Sequence, residues 1–108
     1  MSFIEYFNAT ARVVHGNAVS KGFWDNPASE GERIALIHSE LSEALEGLRH
    51  GNGPSDHIPA FTAAEEEYAD AVIRIMDNAA AMGHRVAEAI EAKMEFNSTR
   101  PHMHGKAF

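Results

Sequence analysis

The chain has no cysteine, a single tryptophan and no apolar run long enough to span a bilayer. The first absence excludes disulfides, thiolate metal sites and a cysteine nucleophile. The last removes a membrane-spanning helix, and the opening "MSFIEYFNA" lacks the basic flank that begins a secretory signal, so a soluble, cytoplasmic protein is expected. Positive charge is scarce as well: 9 Lys and Arg stand against 16 Asp and Glu, a formal net charge of -7. Such a chain has no basic face for a phosphate backbone, which argues against a duplex nucleic acid partner. Strand alternation, internal repeats and low-complexity tracts are missing too. The 108 residues fit one domain with one modest core, so long helices would complete their burial against a partner subunit.

What is present is helical. "SFIE", "SEGE" and "TAAE" each place Ser or Thr three residues before Glu, the capping box in which the two side chains satisfy each other's free backbone amides. Helices are therefore predicted to start at Ser2, Ser29 and Thr62. The first carries Phe3, Phe7, Ala11, Val14 and Ala18 as one apolar stripe and ends near Lys21 or Gly22. The second runs to Arg49 with Ile34, Ile37, Leu41, Leu45 and Leu48 on one side, and Gly51 stops it. The third runs to about Met82, burying Tyr68, Val72, Ile75, Met76 and Ala79. A fourth covers about Val86 to Asn97, before Pro101 biases Arg100 away from helical angles. Between the second and third, "HGNGPSDHIPAF" reads as a loop with room for a short helical piece. The expected fold is all-α, a bundle of about four helices over residues 1-97 followed by a tail, 98-108.

Two acidic groups stand out on these helices. Glu40 and Glu43 share one side of the second helix at the edge of the leucine stripe, and on the third Glu67, Asp70, Arg74 and Asp77 recur as a polar stripe pointing away from the apolar face. One Glu-x-x-Glu alone reads as a solvated face with weak ion pairs. Two such groups on antiparallel neighbours bring Glu40 and Glu43 opposite Glu67 and Asp70, and clustered carboxylates repel unless a cation sits among them. Oxygen-only ligands favour Mg²⁺ or Mn²⁺ over zinc or copper. A di-iron site would need Glu-x-x-His pairs, and neither group has one.

The segments "SELSEALEGLRHG", "EEEYADAVIRIMDNAA" and "KMEFNSTRPHMHGKAF" together resemble the MazG-like branch of the all-alpha nucleoside triphosphate pyrophosphatases. That family's signature is Glu-Glu-x-x-Glu, a helix-loop-helix gap, then Glu-x-x-Asp. Glu40 and Glu43 match its second and third positions, Glu67 and Asp70 the later pair; the first position is Ser39 here, with Glu46, one turn beyond Glu43, as its stand-in. The resemblance implies Mg²⁺-dependent hydrolysis of a nucleoside triphosphate, with deoxynucleotides favoured, to monophosphate and pyrophosphate. It implies metal ligation by Glu40, Glu43, Glu67 and Asp70, proton acceptance by Glu43 or Glu46, and assembly as a dimer or tetramer. Phosphoribosyl-ATP pyrophosphohydrolase shares the scaffold and is the enzyme alternative; a helical interaction module with solvent-facing acids is the non-enzyme one.

Further candidates surround this core. Lys93 and Asn97 share a helix side with Val86, Ile90 and Met94 and are similar to nucleotide-contacting residues of the family, although a lysine there can also extend its amine to water. Arg100 and Lys106 add charge that suits phosphates or plain solubility. Trp24 either stacks on a base or seals one end of the bundle, with Lys21 as its companion. Arg49 favours the helix dipole without any ligand, and Asp77 matches a position where related sequences carry Asp; both are secondary candidates. His15 and His38 read as half-buried, hydrogen-bonded side chains, Arg74 as a partner of Asp70 and Asp77, and "HMH", His102 to His104, as a disordered or subunit-contact segment rather than a transition-metal site.

Overall fold

In the computed structural model the regular structure of the described residues, 1-107, is helical: α1 (Phe3–Ser20), α2 (Glu30–Arg49), α3 (Ala63–Met82) and α4 (Val86–Ser98), followed by a short turn at His102–Gly105 in which Met103 and His104 take left-handed angles. Phe108, the last residue of the predicted tail, lies outside the described residues. No strand and no helix long and apolar enough to cross a membrane occurs among them. The segment between α2 and α3 contains turns and one isolated bridge, Pro54 with Thr62, but no helical piece.

All three capping boxes form as the sequence predicts. Ser2, Ser29 and Thr62 each accept from the amide three residues on, and Glu5, Glu32 and Glu65 reach back to the cap amides. α3 stops where Gly83 turns left-handed at φ 71, an angle that costs glycine nothing. α4 starts at Arg85 without a side-chain cap.

α3 is the central helix. α2 packs along one of its sides and α1 along another, while α4 leans mainly on α1. The contact seams are built from small residues: the buried apolar side chains are Ala11, Ala44, Ala64, Ala71, Ala79 and Ala87, and no large side chain is fully enclosed. On α2 the inward row is Arg33, Ile37, Glu40, Ala44 and Gly47, at steps of four, three, four and three. Helices meeting through alanine approach closely and leave little room to grow. A Cβ added at Gly47 would lie 3.1 Å from the Ala63 Cβ, so Gly47→Val should wedge the start of α3 away from α2. We expect it to cost about 1–3 kcal/mol, read as a lower thermal midpoint, despite the better helix propensity of valine.

The inward row corrects two expectations. Leu41, Leu45 and Leu48 of the α2 stripe are about half exposed, as are Tyr68 and Val72 of the α3 stripe, so these apolar faces flank the seams rather than form them. The polar stripe of α3 does point away from its apolar face. In this chain, however, it points into the bundle, because the alanines that allow close approach lie beside the acids. The result is an open molecule. Its radius of gyration is 16.2 Å, against about 13 Å for a compact chain of this length, and its extents are 45 × 37 × 30 Å.

Candidate metal and nucleotide site

Glu40, Glu67 and Asp70 converge where α2 and α3 lie side by side, each offering a carboxylate oxygen within 4.8 Å of the others. This is the only such cluster among the described residues. The spacing explains the convergence. Glu40 sits one turn before Ala44 on the inward row of α2, and Glu67 and Asp70 flank the turn between Ala64 and Ala71 on α3, so close packing of the alanines forces the acids together.

The electrostatics record the crowding. Glu40 is 8% exposed. Burial, then hydrogen bonding and charge from Glu40 and Glu43, push the Glu67 carboxyl up to about 8. Glu43 is thereby placed within reach of Glu67, although its own side chain is exposed at the cluster's rim. Asp70 is raised too, by burial and then by the charge on Glu40, with Arg74 pulling the other way. One oxygen of Glu67, Oε2, is buried with no hydrogen-bond partner. A buried acceptor left unpaired beside like charges is a cost that a cation removes.

Arg74 does not pair with Asp70 and Asp77 as its position in the stripe suggested. Its Nε donates to Glu40 Oε1 at 3.0 Å across the α2–α3 seam. Asp77 is engaged elsewhere: Trp24 Nε1 donates to its two oxygens at 3.0 and 3.1 Å, and His15 Nδ1 lies 2.7 Å from Oδ1. His15 is half-buried and bonded as expected; His38 is exposed, with no side-chain bond among the described residues. The Trp24 ring is further held by the His15 ring at 5.2 Å, edge-on, and by the Arg33 guanidinium at 4.8 Å. Arg33 in turn donates to Asn78 Oδ1 at 2.8 Å and to the Ala28 carbonyl.

These groups wall a cavity of about 630 Å³ between α1, the α1–α2 loop, α2 and α3. Val13, Val14, Phe23, Trp24, Leu36 and Ile73 supply apolar walls, and Glu40, Asp70, Arg74 and Asp77 line the acidic side. Trp24 thus ties the α1–α2 loop to α3 and lines the cavity.

The loop before α3 is tied to the same region. Ser55 is buried, accepts the amides of His57 and Ile58 at 3.2 and 3.1 Å, and donates to Glu66 Oε1; His57 Nδ1 lies 2.8 Å from Glu66 Oε2. The Ser55 hydroxyl and then His57 hold the Glu66 carboxyl below the usual range, and the same contact raises His57. This is not a nucleophile triad, because the serine faces the carboxylate rather than the imidazole. It fixes the first turn of α3, and with it Glu67.

Comparison with protein-family models, curated proteins and solved structures returns no match.

Other predicted residues stay apart from the cluster. Glu46 is six residues beyond Glu40, which turns it off the inward row; it lies 3.3 Å from His50 in solvent. Lys21, Arg49 and Lys106 are exposed and do not line the cavity. Lys93 and Asn97 line a shallow apolar groove on α4, where Asn97 Oδ1 is buried without a partner. Lys93 and Arg100 flank Phe96, at 4.7 and 5.3 Å from its ring. Arg33 lines the cavity and was missed by the sequence reading; the one signal for it and for Arg74 is heptad spacing, Arg33 being one heptad before Glu40 and Arg74 one heptad after Glu67.

Proposed function

We propose that this chain is a MazG-like, Mg²⁺-dependent nucleoside triphosphate pyrophosphohydrolase, acting on (deoxy)nucleotides in cytoplasmic nucleotide-pool house-cleaning. The observation that carries the reading is Glu67, a carboxylate with an unpartnered buried oxygen among three further acids, at the edge of a cavity walled by an anchored tryptophan. The donor set is oxygen only, which suits Mg²⁺ or Mn²⁺. Glu40, Glu43, Glu67 and Asp70 would hold the cation. The chemistry it supplies when bound is neutralisation of triphosphate charge and a lowered pKa for an attacking water.

The chain's own residues take the remaining roles. Glu43, exposed at the rim, is free to accept the proton of the attacking water, and Glu46 is too far around α2 to be the first choice. The Trp24 face stacks a base, and the apolar walls exclude water beside it. The triphosphate then points to the acidic side. Lys93, Asn97, Arg100 and Lys106 lie off this cavity, so a nucleotide contact from them requires a second copy. The half-exposed leucine and tyrosine stripes and the open shape support a homodimer or homotetramer in which copies cover those faces.

The test is product analysis by ion-exchange chromatography with each common ribo- and deoxyribonucleoside triphosphate, with magnesium and with chelator. Monophosphate and pyrophosphate should appear only with magnesium, and Glu43→Gln should reduce the rate by about 100-fold or more. A folded protein that cleaves no triphosphate sinks the reading.

A further inference from the structure

A triphosphate entering the acidic side of the cavity needs a cation from the protein as well as from the metal, because the carboxylates alone repel it. Basic residues nearer the carboxyl end, Lys93, Arg100 and Lys106, do not line this cavity, and neither does Lys21. Two arginines do. Arg33 has committed two of its three nitrogens, Nε to Asn78 and Nη1 to the Ala28 carbonyl, and its plane to Trp24. Arg74 has committed one: its Nε donates to Glu40 at 3.0 Å, while its two Nη nitrogens donate to no protein group among the described residues. Its side chain is 42% exposed, on the cavity, whereas the side chain of its partner Glu40 is only 10% exposed, in the cluster.

That asymmetry has a chemical meaning. A guanidinium with a free edge matches two phosphate oxygens in the bidentate manner that lysine cannot. Its one bond goes to a carboxylate that also belongs to the cation cluster, so the guanidinium and a divalent cation compete for Glu40. We propose that Arg74 is the phosphate ligand of this site: it neutralises Glu40 before metal binds, and it turns its fork to a phosphate once a divalent cation takes that carboxylate. The proposal rests on the reading of the acidic cluster as a metal site, and it adds a residue which that reading does not contain. It also couples the two ligands. Metal releases the guanidinium, so phosphate binds better to the metal-loaded protein, and by reciprocity phosphate tightens the metal.

The test uses the full chain and two probes, Mn²⁺ followed by electron paramagnetic resonance and inorganic pyrophosphate followed by calorimetry. Without phosphate, Arg74→Gln should bind Mn²⁺ about five-fold more tightly than the wild type, since the competitor for Glu40 is gone and a positive charge has left the cluster. With Mn²⁺ saturating, the same variant should bind pyrophosphate at least about ten-fold more weakly. Arg74→Lys keeps the charge that balances Glu40, and so guards against a folding defect. It should hold Mn²⁺ within about two-fold of wild type and lose about three-fold in pyrophosphate affinity. A merely structural arginine would weaken both ligands together. Opposite changes in the two affinities support the proposal even if no nucleotide is hydrolysed. Mn²⁺ binding to the wild type with Arg74→Gln leaving either affinity unchanged overturns it while the metal site stands. Failure of the wild type to bind Mn²⁺ overturns both.

Discussion

Glu67→Gln is expected to abolish magnesium-dependent pyrophosphate release and, in the metal-free protein, to raise the melting temperature at pH 8. On the proposed reading Glu67 holds the cation, so its loss should cost about a thousand-fold or more in turnover, because the remaining carboxylates no longer define one charge centre. The gain in stability follows from linkage. The folded Glu67 carboxyl sits at about 8 against an ordinary 4.5, so between these values the folded chain holds a proton that the unfolded chain has lost. Its contribution is therefore complete below 4.5 and is lost progressively as pH rises through about 8. Metal-free wild type should melt at least about 5 °C lower at pH 8 than at pH 5, and the variant should lack that component of the slope. Subtracting the variant's melts from the wild type's removes the titration of distant groups such as His57 and Glu30, which respond to Glu66 and His84. Adding Mg²⁺ at pH 8 should recover the wild type's loss and leave the variant unmoved. Parallel pH profiles for the two proteins would end this account of Glu67.

Asp77→Ala should be the most destabilising single change on the cavity wall. It removes the acceptor for Trp24 Nε1 and the partner of His15 at once, leaving an indole N–H and an imidazole half-buried and unpaired. We expect a loss of about 3 kcal/mol, on the order of 15 °C in melting temperature. Trp24 is the sole tryptophan, so its emission reports this one position and should shift to the red as the ring loosens. Asp77→Asn retains one oxygen for the indole and should recover about half of the loss. In the hydrolysis assay the alanine variant should raise KM more than it lowers kcat, since the base wall moves while the carboxylates do not. An alanine variant with wild-type melting and emission would show that the ring is held by packing alone.

Element boundaries were legible because they rest on local chemistry. Ser, Thr and Glu at fixed spacing satisfy amides within one turn, and that bond does not depend on the rest of the fold. Gly83 was legible for a similar reason. The acidic pairs were legible as pairs, since Glu40 with Glu43 and Glu67 with Asp70 are phased by the helix itself. What could not be read was which face of α2 and α3 turns inward. Hydrophobicity ranks Leu41, Leu45 and Tyr68 above Ala44 and Ala71, but helix approach is limited by size, and the alanine side wins the contact within one chain. The cross-helix bond of Arg74 and the double engagement of Asp77 follow from that choice. Residue spacing on one helix cannot report them, because both partners lie on another helix or in a loop.

The three capping boxes carry a consequence for the other side of the folding equilibrium. A helix whose first turn is closed by its own Ser or Thr and Glu does not need its neighbours to know where to start, so α1, α2 and α3 are expected to retain fractional helicity in the denatured ensemble. The free energy that separates native from denatured chain is then spent less on making helices than on docking them. In this protein docking means pressing acids together along an alanine seam.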